Sequence, residues 1–229
     1  MLALNVLASG SSGNCYLLSC DNETLILDCG IPIKEIKRGL NFDVSKVKAI
    51  LVTHAHADHS KALADFQKMG IPCFTPYMDE NKNQAKRFGN WFVQSVQVPH
   101  DGTDNVAYYI VCPDGQKMVY ATDFEYIPVS FAKQKINILL VECNYCKSMV
   151  DRDKENFSHV ARGHAELQTT IGIVKDNISN ALRNVIVCHL STSNADKEEI
   201  LVEVKKVAGN ANVYIAERGL TVDLSEVPF

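Results

Sequence analysis

Long apolar runs are missing from this chain of 229 residues. Its most hydrophobic stretches, such as Ile138 to Val141, fall far short of the ~20 consecutive apolar residues that a membrane-spanning helix needs. A basic leader is missing too. The chain opens Met1-Leu-Ala-Leu-Asn-Val-Leu-Ala8, where Asn5 interrupts the apolar run, so no secretory signal is expected. Charge of one sign is not in excess: 27 acidic residues stand against 23 basic ones, for a net −4. That balance excludes a highly basic nucleic-acid coat and a disordered acidic tail. It leaves a nuclease open, because a local basic patch can serve a mildly acidic protein. No internal period or low-complexity linker divides the chain, and one domain over 1–229 is expected.

Apolar bulk and cysteine are what the chain has. Apolar types make up 46% of residues, enough for a sizeable core. Most of the eight cysteines (Cys15, Cys20, Cys29, Cys112 and Cys188 among them) sit inside apolar segments. They read as buried free thiols of a reducing cytoplasm, not as a disulfide scaffold. Cys143 and Cys146 form a CxxC without a thioredoxin-type helix, and read as incidental thiols near a cleft.

Patterning predicts strands over 2–8, 15–20 and 24–28, the last two as a hairpin about Asp21-Asn22-Glu23. Further strands are predicted over 49–53, 71–74, 91–98, 106–112, 117–121, 137–141, 185–188 and 212–215, the chain then ending in a short tail. Helices are predicted over 32–40, 58–69, 78–88, 165–175 and 195–207. Residues 144–163 are polar and irregular and read as a mobile wall of a cleft. Sheets inside and helices outside fit this order. The strands end at Asp28, His54, His100, Asp123, Glu142 and His189, so these polar groups are expected at one sheet edge.

Three of the seven histidines fall inside Thr53-His-Ala-His-Ala-Asp-His59. Extended chain puts His54 and His56 on one side. Asp58 and His59, on the first turn of the next helix, point elsewhere. One short segment can therefore serve two ions, and Ala55 and Ala57 leave them room. Nitrogen and oxygen donors suit Zn²⁺, Mn²⁺ or Fe²⁺, and do not suit a closed cysteine-rich zinc site. Two ions need further donors, and His100, Asp123 and His189 are the candidates. Ser9-Gly-Ser-Ser-Gly13 reads either as a phosphate cradle of backbone amides or as a turn packed near the histidine loop. It lacks the lysine of a nucleoside-triphosphate loop.

In their order and context, Thr53 to His59, His100, Asp123 and His189 resemble the metallo-β-lactamase-fold hydrolases. The resemblance spans nearly the whole chain. It implies an α/β fold, an αββα sandwich of two mixed sheets flanked by helices, with a dinuclear site at one sheet edge. It implies that His54, His56 and His100 bind one ion, that Asp58, His59 and His189 bind the other, and that Asp123 bridges them. Asp28, in Leu27-Asp-Cys-Gly30, resembles the family's early aspartate, which braces the histidine loop without binding metal. The aspartate at 123 is similar to that of the hydroxyacyl-glutathione and nuclease branches. Ser9 to Leu17, Val141-Glu-Cys-Asn-Tyr145, Gly163-His164 and Cys188-His-Leu-Ser191 resemble the YycJ/WalJ (VicX) exonuclease-like group. They are also similar to the transfer-RNA 3′-processing ribonuclease, where a glutamate after a strand and a later histidine assist the reaction.

Glu142 and His164 match those two roles, and with Asp58 they form the expected catalytic set. Asn144, Tyr145 and Ser191 are expected at the substrate. The chain departs from the pattern at Cys143 and Cys146, at Ala165-Glu166 after Gly-His, and in having no counterpart of the ribonuclease's RNA-binding arm. The interval from Asp123 to His189 is too short for a large cap domain.

Two cations about 3.5–4 Å apart can activate a shared hydroxide for attack on phosphorus. His164, oriented by Glu142, would then protonate the leaving oxygen. The alternatives are that His164 caps the helix after it, and that Glu142 is a strut for a histidine ligand. His159 reads as exposed or outside the ligand set. Lys82, Lys86 and Arg87 read as the solvated face of helix 78–88, and Lys34, Lys37 and Arg38 cluster on helix 32–40. Three functions stay open: a nuclease acting on DNA or RNA ends, a hydrolase of a small thioester, lactone or cyclic nucleotide, and a metal-bearing regulatory module. No membrane and no organic cofactor are expected.

Overall fold

The computed structural model describes residues 1–150 and 162–226. His159 and the 151–161 part of the expected cleft wall lie outside the described residues. In the first sheet, β1 (Leu2–Ala8), β2 (Cys15–Cys20) and β3 (Glu23–Leu27) form an antiparallel meander. β4 (Val47–Leu51) and β5 (Cys73–Phe74) add in parallel beyond β3. β13 (Thr221–Asp223) closes the other edge against β1. In the second sheet, β6 (Ala85–Phe88), β7 (Trp91–His100), β8 (Thr103–Val111) and β9 (Lys117–Ala121) are antiparallel. β10 (Ile138–Glu142), β11 (Asn184–Cys188) and β12 (Asn212–Ile215) continue in parallel from β9.

This topology decides where the polar strand ends go. β7 and β8 are antiparallel, as are β8 and β9, so β7 runs with β9, β10 and β11. Their carboxyl ends carry His100, Asp123, Glu142 and His189. β3 and β4 likewise end together, at Asp28 and Thr53.

The strand Ile138-Leu-Leu-Val141 reads as an unbroken apolar run because both its faces are covered. Ile138 and Leu140 point into the core between the sheets, with Leu4, Tyr16, Leu18, Trp91, Tyr108 and Tyr120. Leu139 and Val141 point the other way. They pack under α4 (Leu167–Asn177) and α5 (Lys197–Val207), which supply Leu167, Val174, Ile200 and Val204. Outside the first sheet, α1 (Ile33–Gly39) and α3 (Leu63–Lys68) lay Ile36, Leu63 and Phe66 over Ile26, Ile50 and Val52, and the short α2 (Ala57–Ser60) precedes α3. Each such side chain contributes roughly 1.5–3 kcal/mol by leaving water. The result is the expected αββα layering. Among the described residues no helix is long and apolar enough to cross a membrane.

Four expectations need correction. Residues 78–88 are not a helix: a turn leads into strand β6, which pairs with β7 as a hairpin, Phe88 opposite Trp91. Asn81 and Gln84 fold their side chains onto this turn, and Gly89 takes the positive φ of 59° that a tight hairpin asks of its first turn residue. Lys86 and Arg87 are therefore strand residues. The single helix 58–69 is instead α2 and α3. The bond that would join them is diverted at both ends, since the Asp58 carbonyl accepts from Asn14 N–H (2.7 Å) and Ala62 N–H donates to Cys29 O (2.9 Å).

α4 and α5 begin two residues later than expected, because Glu166 and Asp196 act as N-caps. Glu166, and not His164, caps α4. Residues 221–223 are a strand and not a tail, a pairing with β1 that so short a run cannot announce.

Candidate metal centre

The histidine loop leaves β4 and is pinned at once. Asp28 accepts the Thr53 N–H (2.8 Å) and Thr53 hydroxyl (3.0 Å), the Tyr120 hydroxyl (2.5 Å) and His59 Nδ1 (2.7 Å). These bonds fix His59 with Nε2 toward Asp58 and Asp123, the kind of orientation that a carboxylate behind an imidazole imposes. Asp28, Asp123 and His189 each follow a strand with φ between 53° and 56°. The left-handed conformation, which aspartate tolerates better than most residues, swings each side chain back across the sheet edge. For Asp123 it is held by Asn105, whose side-chain amide donates to the Thr122 (3.0 Å) and Asp123 carbonyls, and by the Thr122 hydroxyl on Asp123 Oδ1 (2.6 Å).

Asp123 stands between two groups of donors. Its Oδ2 lies 3.8 Å from both His54 Nε2 and His100 Nε2, and its Oδ1 lies 3.3 Å from His59 Nε2 and 3.5 Å from His189 Nε2. His56, on the open side, turns Nδ1 to within 3.4 Å of His100 Nε2. Asp58 Oδ2 lies 3.5 Å from His59 Nε2 and 3.6 Å from His189 Nε2. Two clusters with ligand atoms mutually within 4.8 Å result: His54, His56, His100 and Asp123, and Asp58, His59 and His189.

The donors fit divalent cations on a specific ground. His54 Nε2 and His189 Nε2 are buried without a hydrogen-bond partner among the described residues. An orphaned buried imidazole nitrogen is costly, and a cation would satisfy it.

The electrostatics agree. Burial and the neighbouring imidazoles His59, His100 and His56 hold His54 far below the usual histidine pKa, as a neutral ring. Burial also lowers His100, whose Nδ1 lies 2.6 Å from Gly163 O. For His59, burial favours the neutral form, but Asp123 and Asp28 outweigh it and lift the pKa to about 10. His189 is raised in the same way by Asp123, Asp58 and Glu142. Asp58 is held well below the carboxylate range despite burial, by His189 and His59.

A third cluster sits behind the first two. Glu142, fully buried, receives the N–H groups of Ala165 (3.1 Å) and Phe124 (3.3 Å) on Oε2. Its Oε1 lies 2.7 Å from His164 Nδ1 and 3.0 Å from His189 Nδ1. One oxygen of Glu142 thus faces two imidazoles, those of His164 and His189. His164 and His189 stack at 5.4 Å between centroids with 11° between planes. Burial penalises the ionised Glu142, but His164 and His189 outweigh it and hold the carboxylate well below its usual pKa. Glu142 in turn raises that of His164 against the effect of burial.

The expected substrate contacts fare differently. The Asn144 side chain is buried and donates to His189 O (3.0 Å), so it positions that histidine. Tyr145 is buried, its main chain bonded to Leu167. The Ser191 hydroxyl caps the turn at Asn194 (3.2 Å). Ser9-Gly-Ser-Ser-Gly13 is a turn packed against the site: Ser9 Oγ accepts His189 N–H (2.9 Å).

Asn14, which follows that turn, was missed by sequence reasoning. It is buried, with Nδ2 within 3.0 Å of His59 Nε2. Thr53, Asn105, Thr122 and Tyr120 were missed as well. Their only signal was polarity beside a ligand-type residue or within an apolar strand.

Comparison with known proteins agrees with this arrangement. Residues 8–73 match the family model of the metallo-β-lactamase superfamily. The chain is 25% identical to exodeoxyribonuclease YycJ of Bacillus anthracis over 94% of its own length and 92% of that protein's. It is 24% identical to exodeoxyribonuclease WalJ of Streptococcus pneumoniae serotype 2, over 85% and 83%. The crystal structure of the metallo-β-lactamase fold protein YhfI from Bacillus subtilis matches with a TM-score of 0.73 at 19% identity, over 96% of this chain and 98% of that one. The αββα sandwich is the metallo-β-lactamase fold, and the resemblance to YycJ and WalJ extends over most of the chain.

Proposed function

We propose that this metallo-β-lactamase-fold hydrolase, similar to the YycJ and WalJ exonucleases, is a metal-dependent phosphodiesterase that shortens DNA or RNA from an end. The observation that carries the reading is the Glu142–His164 pair. A histidine held at 2.7 Å by a buried carboxylate stands with Nδ1 3.9 Å from Asp123 Oδ2, the carboxylate shared by the two donor clusters. A phosphodiester releases a basic alkoxide, and a proton donor at this position serves that step.

His54, His56 and His100 would hold one divalent ion with Asp123 Oδ2, and Asp58, His59 and His189 the other with Asp123 Oδ1. Zn²⁺ or Mn²⁺ suits these donors, and Fe²⁺ is compatible with them. Such ions, when bound, polarise the phosphoryl oxygens and lower the pKa of water toward neutrality. Asp123 sets the spacing of the two clusters. Asp28 and Asn144 keep His59 and His189 aimed inward. Glu142 keeps His164 in one orientation and favours its protonated form, ready to hand a proton to the leaving oxygen. Asp58 completes the catalytic set as a carboxylate, held ionised by His189 and His59. We place this activity in one domain spanning 1–229 and in a reducing cytoplasm, in keeping with the eight unpaired cysteines.

One observation favours the second reading, a hydrolase of a small thioester, lactone or cyclic nucleotide. Among the described residues, Asp101, Asp104 and Glu125 outnumber Arg162 in the wall of the cleft beside His100. The test is hydrolysis of end-labelled single- and double-stranded oligonucleotides with added Mn²⁺ or Zn²⁺, run beside small thioesters and lactones. Stepwise shortening of the labelled strand is the expected result. Turnover confined to the small esters would overturn the nuclease reading.

A further inference from the structure

A cleft of about 750 Å³ opens beside His100 and Thr103, and its far wall carries Glu125, Tyr126 and Val129. We infer that this cleft is a nucleobase subsite in which the base of the terminal nucleotide stacks on Tyr126. The inference rests on the nuclease reading and names where its substrate's base goes.

Tyr126 is 53% exposed and Val129 45%, two large apolar side chains three positions apart on the segment that follows Asp123. Both line one cleft, whose wall also includes His100, one of the candidate metal donors. The segment is anchored where it begins. Phe124 is fully buried with its N–H directed at Glu142 (3.3 Å), and Glu125 N–H donates to Pro99 O (2.9 Å) on β7. The main chain just before Tyr126 is therefore tied to the strand that ends in His100. An exposed aromatic ring in a cleft that also borders a candidate metal donor is the arrangement that sequence-tolerant base stacking uses.

Charge decides which part of a nucleotide enters. Asp101, Asp104 and Glu125 line the wall, with Asp104 paired to Lys82 (3.1 Å) and Asp101 to Arg162 (3.2 Å). Both of these cations are thus engaged by carboxylates, so among the described residues the wall offers phosphate no free counter-charge. The phosphodiester is left to the cationic centre, and the uncharged base is the part that the cleft accepts. Carboxylates at the rim can also accept from the amino groups of bases.

The test is equilibrium binding of a fluorescein-labelled, phosphorothioate-linked single-stranded hexanucleotide to the protein in Mn²⁺, followed by hydrolysis of the unmodified strand in Mn²⁺. Tyr126→Ala should weaken binding roughly 5- to 150-fold, the loss of one stacked base (~1–3 kcal/mol at 1.36 kcal/mol per tenfold). Tyr126→Phe should bind within about twofold of the natural protein, because a phenyl ring stacks as well. In hydrolysis, Tyr126→Ala should raise KM by a similar factor and leave kcat within about threefold. An oligonucleotide with an abasic terminal residue should not distinguish Tyr126→Ala from the natural protein. Equal binding by Tyr126→Ala, or no oligonucleotide binding by the natural protein, overturns the subsite. Binding that depends on Tyr126 without any cleavage would keep the subsite and overturn the nuclease reading.

Discussion

The main-chain oxygen of Asp58 occupies the space that a side chain on Gly30 would need: a Cβ at position 30 would stand 1.6 Å from it. Gly30 N–H donates to Asn14 O, and Asn14 N–H donates to the same Asp58 oxygen. The loop after β3 is thus wedged against the first turn of α2, the turn that carries Asp58 and His59. Glycine is required here for closeness of approach and not for a left-handed backbone.

Gly30→Ala is expected to destabilise the protein by about 2–4 kcal/mol, the range of severe overpacking, because backbone must move. Gly102→Ala is the contrast: φ is +80° but nothing lies within 4 Å of the added carbon. It should cost only about 1 kcal/mol of backbone strain. Thermal melts of the two variants check the difference, and a Gly30→Ala melt at the natural temperature would contradict the wedge.

Removal of divalent metal should lower stability. A site saturated at a hundredfold over its Kd contributes about 2.7 kcal/mol, which for a chain of this length is roughly 5–10 °C in Tm. The proposed centre predicts that excess chelator lowers the Tm by at least that amount and that Zn²⁺ or Mn²⁺ restores it. Asp123→Ala should keep a folded core yet show much weaker metal dependence, since both clusters share this carboxylate. Elemental analysis and melts with and without chelator are the measurements.

Asp28→Asn should act through His59. An amide nitrogen in place of Oδ2 removes the acceptor of the 2.7 Å contact to His59 Nδ1 and of the Tyr120 hydroxyl, while the Thr53 N–H and hydroxyl can still bond Oδ1. The expected result is metal affinity lowered about 10- to 100-fold, with a smaller loss of stability. Metal titration by calorimetry decides. Unchanged affinity would mean that Asp28 braces the loop only.

His164→Ala should retain metal and melt near the natural temperature while turnover falls about 10²–10⁴-fold. A substrate with a very good leaving group should recover much of that loss. Glu142→Gln should do more damage, because the same oxygen also faces His189 at 3.0 Å. It is expected to lower metal affinity as well as turnover. Equal effects of the two substitutions on metal content would argue against the double role of Glu142.

The cysteines should be inert in the folded protein. Cys143 and Cys146 are buried, and burial pushes both thiols above their usual pKa. Cys73 alone is half-exposed, and it too is raised by burial. Alkylation under native conditions should modify about one cysteine per chain, at position 73, with all reactive after unfolding. Rapid labelling of Cys143 or Cys146 would reopen a redox role.

Local spacing is legible in a sequence because the backbone sets side-chain direction within one segment. An extended His54-x-His56 followed by a helical turn at Asp58 and His59 had to offer donors on two sides. A run such as Ile138 to Val141 had to be a strand covered on both faces. The strand-end positions of His100, Asp123, Glu142 and His189 were equally plain, since each closes an apolar run. What those residues do to one another was decided only when the two sheets stacked.

The two oxygens of Asp123 face different histidines because β4, β7, β9 and β11 end at one edge. Glu142 holds two imidazoles because β10 lies between β9 and β11. The break between α2 and α3, the strand at 221–223 and the hairpin at 85–94 depend on partners far away in the chain. Asn14 and Gly30 carry no local pattern that announces them. Their identities follow from a close approach of two loops, a distance that no sequence spacing encodes.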